Sequence, residues 1–169
     1  MKSPLLRHTA TYGLYIGLAL IVLALAGYLL NKSFNILSTW VIPVLGIAWA
    51  TIQYRDKEKG GFLSYGDSVG YGTLLALFYG IVSAVFVLLV ATFDPNYIER
   101  LLELQRIALE ESGLYSEQRI DETMALSEII YTPPLLFIGH ILLSVVSGVI
   151  ISLITSIFIK RNKPMFYEG

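Results

Sequence analysis

Residues 68–93 read SVGYGTLLALFYGIVSAVFVLLVATF, a run without a single charged side chain. A helix needs about 20 consecutive, mostly apolar residues to cross a hydrocarbon layer about 30 Å thick. This stretch therefore predicts a membrane span. Three further stretches have the same uncharged, apolar character, at residues 12–30, 34–53 and 133–159.

The composition of the 169 residues agrees with a membrane protein, since 55% are apolar and only 15% are charged. A soluble domain carries about 25% charged residues. Four spans leave room for a single membrane domain over residues 1–169 with one modest segment outside the bilayer. The predicted fold class is all-α, an integral membrane four-helix bundle. The chain has no cysteine, which excludes disulfides, cysteine metal ligands and a thiol nucleophile.

The distribution of basic residues predicts the orientation of the spans. Alternate sides of the membrane collect eight and four Lys or Arg residues, and the eight stand in short segments next to span ends. Cytoplasmic loops carry the excess of Lys and Arg. Both termini are therefore predicted to be cytoplasmic, and residues 94–131 to lie on the opposite side.

The first span has a competing interpretation. Ala24-Leu25-Ala26 follows an apolar run and resembles a signal-peptidase site. Cleavage there would leave three spans, whereas the continuation of the apolar run to Leu30 favours a retained helix.

Small residues recur at every fourth position in the third and fourth spans, which places them on one face of each helix. They are Gly72, Ala76, Gly80 and Ala84 in the third span, and Gly148 and Ser152 in the fourth. Helices in lipid associate through such close-packing faces rather than through hydrophobic burial. The pattern predicts a helix–helix seam; the alternative is a seam that opens to pass a solute.

His140 is the one histidine inside a predicted span, on the same face as Ser144 and at a depth similar to that of Ser83. An intramembrane histidine can relay protons or sense pH. The alternative is a neutral imidazole hydrogen-bonded to the third span. The absence of a carboxylate from the four stretches favours the second interpretation.

Residues 94–131 are predicted to form an extracytoplasmic amphipathic helical hairpin between spans three and four. Asp94-Pro95 is a helix-start signal and Ser112-Gly113 a helix-end signal. The apolar face is predicted to hold Tyr97, Ile98, Leu101, Leu102, Leu104, Ala108 and Leu109. Nine acidic and three basic residues lie between Asp94 and Glu128. Glu99, Glu103, Glu110 and Glu111 on the polar face are a candidate surface for a basic partner, or else a solvated face.

The turn before the third span contains two further features. Ser64 and Asp67 have the spacing of a capping box, in which each side chain satisfies a backbone amide of the first helical turn. The preceding residues 55–61 mix acidic and basic side chains, and their lysines are placed to touch anionic lipid headgroups.

The segment GGFLSYGDS at residues 60–68, leading into a glycine-rich span, is followed by FDPNY at 93–97. With the four-span layout and the helical insert, these residues resemble the bacterial membrane family known as domain of unknown function 4199, over about residues 4–162. The resemblance implies four transmembrane helices in the bacterial inner membrane, with the insert outside. The family has no assigned activity, so it implies no functional residues.

The sequence therefore predicts a structural or accessory membrane protein that acts through helix packing and its acidic hairpin. The alternative is a small-solute or proton-linked channel or carrier that works as an oligomer. No catalytic, cofactor-binding or metal-binding residues are predicted, and the chain is not expected to be an enzyme, because nucleophile and metal motifs are missing. The predicted partners are the lipid bilayer and a membrane or periplasmic protein or a second copy of the chain, but not nucleic acid.

Overall fold

The computed structural model describes residues 4–30 and 36–163. Six α-helices account for most of this part of the chain: α1 Pro4–Leu30, α2 Ile36–Glu58, α3 Tyr65–Phe93, α4 Tyr97–Ser112, α5 Glu117–Ile130 and α6 Pro133–Ile159. The β-type pairing found within these ranges is an isolated antiparallel bridge between Leu63 and Arg161. The prediction of an all-α fold is confirmed.

Three of the described helical segments are long and apolar enough to cross a membrane: Pro4–Gly27 within α1, all of α3 and all of α6. The second predicted span, 34–53, is not among them. Residues 34 and 35 lie outside the described part of the chain, and the last turn of α2 carries Arg55, Asp56, Lys57 and Glu58. The prediction for 133–159 coincides with α6, whereas α1 begins at Pro4 rather than at Tyr12 because a helix continues freely beyond the hydrocarbon layer.

The chain divides into two compact units. Met1–Ser83 together with Ile141–Gly169 form the first, which we call the bundle unit. Ala84–His140 form the second, the hairpin unit.

The bundle unit is built on close helix approach. A Cβ at Gly13 of α1 would lie 2.5 Å from the Phe78 Cβ of α3, and one at Gly46 of α2 would lie 2.8 Å from Ile16 of α1. Real Cβ atoms do not approach this closely, so a side chain at Gly13 would push α1 away from α3, whereas one at Gly46 would displace the Ile16 side chain. The largest fully buried side chains include Tyr71, Ile47 and Leu75.

The outer surface of the bundle unit is apolar. Among its exposed side chains are Val22 at 66%, Leu143 at 67% and Phe158 at 82% of full exposure. Monomeric soluble proteins rarely expose contiguous apolar surfaces larger than a few hundred Å². Apolar helices with an apolar outside and small residues inside have the pattern expected of a bundle in lipid.

The hairpin unit contains α4 and α5, which meet through Gln105 and Ser127, with Gln105 Nε2 donating to Ser127 Oγ at 2.9 Å. The Arg106 guanidinium also reaches Asp121 of α5 at 2.9 Å. Gly113 ends α4 with a φ of 62°, the left-handed conformation that glycine adopts without strain. The predicted stop at Ser112-Gly113 is confirmed.

Two details of the predicted hairpin are wrong. The first helix begins at Tyr97, not at Asp94, because the Asp94 carboxylate accepts a hydrogen bond from the Asn96 amide and holds a turn there. Leu104 is 52% exposed and Ala108 is also exposed, while Gln105 is half-buried. The face that packs inward is therefore rotated relative to the predicted one, since it accommodates the Gln105–Ser127 hydrogen bond.

Candidate functional site

A cluster of rings joins three helices of the bundle unit, and we call it the aromatic cluster. His8 and Tyr12 come from α1, Trp49 and Tyr54 from α2, and Tyr71 from α3. His8 Nδ1 and Tyr71 Oη are 2.7 Å apart, a hydrogen bond whose direction depends on the imidazole tautomer. This bond connects residues 63 positions apart in the chain.

Ring packing sets the shape of the aromatic cluster. His8 stacks on Tyr12 with 4.3 Å between ring centroids, and Tyr54 stacks on Tyr71 at 4.5 Å. Trp49 meets Tyr12 edge-on at 5.0 Å. The spacing of four between His8 and Tyr12 puts both rings on one face of α1, where they face α2 and α3.

The imidazole has one satisfied nitrogen and one that is not. His8 Nε2 is buried and has no hydrogen-bond partner within the described ranges. A buried polar atom without a partner costs free energy, and such atoms in native structures often mark functional groups. His8 therefore combines one hydrogen-bonded and one unpartnered ring nitrogen at the contact between α1 and α3.

A second polar assembly lies at the end of α2. Arg55 is only 7% exposed, and its Nη1 donates to the Ile159 carbonyl at 2.9 Å. Its Nε and Nη2 donate to the Asp56 carboxylate at 2.7 and 3.1 Å. The last carbonyls of a helix lack intrahelical donors, so Arg55 caps α6 from a neighbouring helix. The hydrogen bond from Arg55 lowers the pKa of the Asp56 carboxyl below its ordinary value.

The structure brings the predicted small residues of α3 and α6 together in antiparallel register, which we call the α3–α6 seam. A methyl group on Gly72 would overlap the Ser152 hydroxyl, and one on Gly148 would overlap the Ala76 Cβ. A Cβ at Gly80 would lie 2.7 Å from that of Ser144.

The same register continues at one end of the seam, where Ser156 Oγ donates to Ser68 Oγ at 2.7 Å. Ser152 Oγ is buried and has no hydrogen-bond partner in the described residues. Ala84 is buried too, but it belongs to the hairpin unit.

His140, Ser83 and Ser144, the candidate intramembrane polar residues, lie on α3 and α6. Ser83 Oγ donates to the Tyr79 carbonyl at 2.8 Å within its own helix, and the Ser144 carbonyl accepts from Tyr79 Oη at 3.4 Å. His140 is half-buried and belongs to the hairpin unit, whereas the two serines belong to the bundle unit. The predicted polar contact among these three residues stays a prediction.

The predicted acidic surface and the predicted capping box have clear positions. The four glutamates 99, 103, 110 and 111 are all exposed on α4, and Glu110 pairs with Arg106 at 2.9 Å.

At the start of α3, Ser64 Oγ accepts from the Asp67 amide at 3.1 Å, as a capping box requires. The Asp67 carboxylate bonds the Ser64 hydroxyl at 2.7 Å instead of the Ser64 amide.

Sequence reasoning missed the aromatic cluster and the role of Arg55. The i,i+4 spacing of His8 and Tyr12 was a visible signal for one half of the cluster. Tyr71 lies 63 positions from its partner His8, and Ile159 lies 104 positions from its partner Arg55. No local sequence pattern indicates contacts between residues so far apart in the chain. No group of three or more His, Asp or Glu side chains that could hold a metal ion occurs among residues 4–30 and 36–163.

Apolar helices of membrane length, an apolar exterior and close-packed small residues place the chain in the class of all-α proteins consistent with insertion into a membrane. A family model matches residues 11–161, and the chain belongs to that family, described as protein of unknown function (DUF4199). Comparisons with curated proteins and with solved structures gave no match. The resemblance expected from residues 60–68 and 93–97 is confirmed.

Proposed function

We propose that this chain is a four-span protein of the bacterial inner membrane with an accessory, non-catalytic role. It packs against another membrane protein and presents its acidic hairpin to a basic partner on the outer side. In this proposal both termini are cytoplasmic, and α2 crosses the membrane as the second of four spans.

The α3–α6 seam is the observation that carries the proposal. Four successive levels of contact, from Ser68–Ser156 to Gly80–Ser144, involve no side chain larger than serine. Backbones that approach this closely gain packing contacts along their whole length. A bundle closed in this way leaves its apolar exterior as the surface available to lipid and to another protein.

The exposure pattern of α2 supports its assignment as a span. Leu45 is 63% exposed and Trp49 51% exposed, whereas Ile47 and Ala50 are fully buried. One face therefore packs in the bundle, and the other carries large apolar side chains outward. The charged residues 55–58 then mark the cytoplasmic end of this helix.

The acidic surface supports a basic partner. Glu99, Glu103 and Glu111 are exposed on α4. Complementary charges on two proteins accelerate their association and select against like-charged partners. An acidic face is not attracted to anionic lipid, so a protein is the partner expected there.

The test is crosslinking in native membranes with a photoreactive side chain at Leu104, which is exposed beside the glutamates. We expect one dominant adduct, lost in the variant Glu99→Gln/Glu103→Gln/Glu111→Gln. The matched control, Glu117→Gln/Glu122→Gln/Glu128→Gln, removes three charges from α5 and keeps the adduct. An adduct that survives equally in both variants, or none above background, contradicts the proposal.

The second candidate function is a proton-linked channel or carrier that works as an oligomer. The observation in its favour is the buried His8 Nε2 beside the His8–Tyr71 hydrogen bond. Purified protein in proteoliposomes would dissipate a pH gradient, and His8→Gln or His140→Ala would abolish the flux. A flux equal to that of protein-free vesicles rules this function out.

A further inference from the structure

A groove of about 330 Å³ lies between the turn that precedes α3 and the tail that follows α6, and we call it the basic groove. Three cationic residues, Lys59, Arg161 and Lys163, line it. All three are exposed, so their side chains are accessible from solvent. Pockets that bind small molecules start at about 300 Å³, so the groove has room for a small ligand.

The backbone around the basic groove is held in place from both sides. The Leu63 amide donates to the Arg161 carbonyl at 2.8 Å, and the Arg161 amide donates back to the Leu63 carbonyl at 2.9 Å. Arg55 fixes the end of α6 through the Ile159 carbonyl. The cationic side chains therefore project from a defined frame rather than from a free tail.

The charge balance of the groove favours an anion. One carboxylate, that of Asp67, lines it against the three cations, and this carboxylate already accepts a hydrogen bond from Ser64. The first turn of α3 is capped by Ser64 itself, so the cations and not the helix end supply the attraction. A guanidinium binds phosphate oxygens in a planar, two-pronged geometry, and ammonium groups add compact charge.

We propose that the basic groove binds a phosphate ester anion. Two sources offer this chemistry: the headgroup of an anionic phospholipid and a soluble phosphate ester. The groove adjoins the first residue of α3 and the last residues of α6, both helices of membrane length, so it sits where headgroups lie. Basic pockets at the cytoplasmic ends of spans are known to take anionic headgroups.

The test uses the purified full-length chain in an uncharged detergent. Native mass spectrometry counts retained phosphatidylglycerol against phosphatidylcholine, and calorimetry measures binding of glycerol 3-phosphate. Preferential retention of phosphatidylglycerol identifies the lipid headgroup, whereas binding of glycerol 3-phosphate without lipid preference identifies a soluble ester. Equal retention of both lipids, together with no binding of glycerol 3-phosphate, overturns the proposal.

Paired variants assign the binding to the groove. Lys59→Gln/Lys163→Gln should weaken binding about fivefold for each charge removed. Arg7→Gln removes an exposed charge outside the groove and should leave the affinity unchanged. Equal losses of binding affinity in the groove variant and the control variant would overturn the assignment of the binding site to the basic groove.

Removal of the carboxylate should change the affinity in the opposite direction. Asp67→Asn keeps an acceptor for the Ser64 hydroxyl and deletes the negative charge, so binding should tighten about fivefold. A weaker affinity in a variant whose thermal unfolding is unchanged would contradict the proposal. The measurement does not involve the hairpin, so its outcome is independent of the accessory role proposed above.

Discussion

Single residues of the bundle unit carry contacts that small changes would break. Tyr71 is 1% exposed and its hydroxyl is the partner of His8. Tyr71→Phe would leave the imidazole without this bond, and an unsatisfied buried polar group costs about 1–3 kcal/mol. We expect the free energy of unfolding, measured by thermal unfolding in detergent, to fall by that amount. Tyr15→Phe, at a 56% exposed position of α1, is the control and should change nothing.

Gly148 in α6 tests the α3–α6 seam at the same scale. A methyl group there meets the Ala76 Cβ, which cannot move without its backbone. Gly148→Ala should therefore destabilise the protein by about 1–3 kcal/mol, the usual cost of overpacking. Gly139→Ala introduces the same methyl group into α6 where nothing lies within 4 Å. Equal unfolding curves for these two variants would mean that the seam is not tightly packed.

The Asp56 carboxyl gives a pH dependence with a defined sign. Its pKa in the folded protein is lowered from 3.8 chiefly by the hydrogen bond from Arg55. Its contribution to stability is therefore complete above about pH 3.8 and is lost as the pH falls through the lower, folded value. Acid unfolding of Asp56→Asn should lack this component. If the free energies of unfolding of wild type and Asp56→Asn differ by the same amount at pH 3 and pH 7, Asp56 does not cause the pH dependence.

Whole helices differ in how much of their environment the sequence reveals. The packing faces of α3 and α6 could be predicted because small residues such as Gly72, Gly80 and Gly148 recur there at helical spacing. In lipid, such small residues are expected where helices pack closely together. The inward face of α4 was misjudged at Leu104 because hydrophobic periodicity cannot foresee that Gln105 bonds Ser127. The His8–Tyr71 contact was out of reach for the same reason, since it depends on where α1 and α3 meet.

The hydrogen bond between Gln105 and Ser127 gives a prediction for the α4–α5 pair. Ser127→Ala removes the hydroxyl that accepts from Gln105 Nε2 and leaves this nitrogen without its partner. The Gln105 Oε1 atom is buried and already lacks a partner among the described residues. We expect faster hydrogen exchange in both helices, corresponding to about 1 kcal/mol. Gln105→Met with Ser127→Ala removes both polar groups and should restore protection. Faster exchange in the double variant than in Ser127→Ala would contradict this account.

At the scale of the whole molecule, we propose that the bilayer is the solvent for α1, α2, α3 and α6 and that both termini are cytoplasmic. The apolar exterior, with Phe158 82% exposed, is unfavourable in water and favourable in lipid. In this proposal the basic residues gathered at the ends of these helices set the orientation. Family membership leaves the activity open, so the topology is the framework on which the proposed functions depend.

Single cysteines introduced into this naturally cysteine-free chain test the topology most directly. Ser112→Cys, Lys59→Cys and Lys163→Cys are each labelled with a membrane-impermeant maleimide in intact cells and again after the membrane is opened. The account predicts that Ser112→Cys reacts from outside, whereas Lys59→Cys and Lys163→Cys react only after opening. Labelling of Lys59→Cys and Lys163→Cys from opposite sides, or of all three in intact cells, would contradict it.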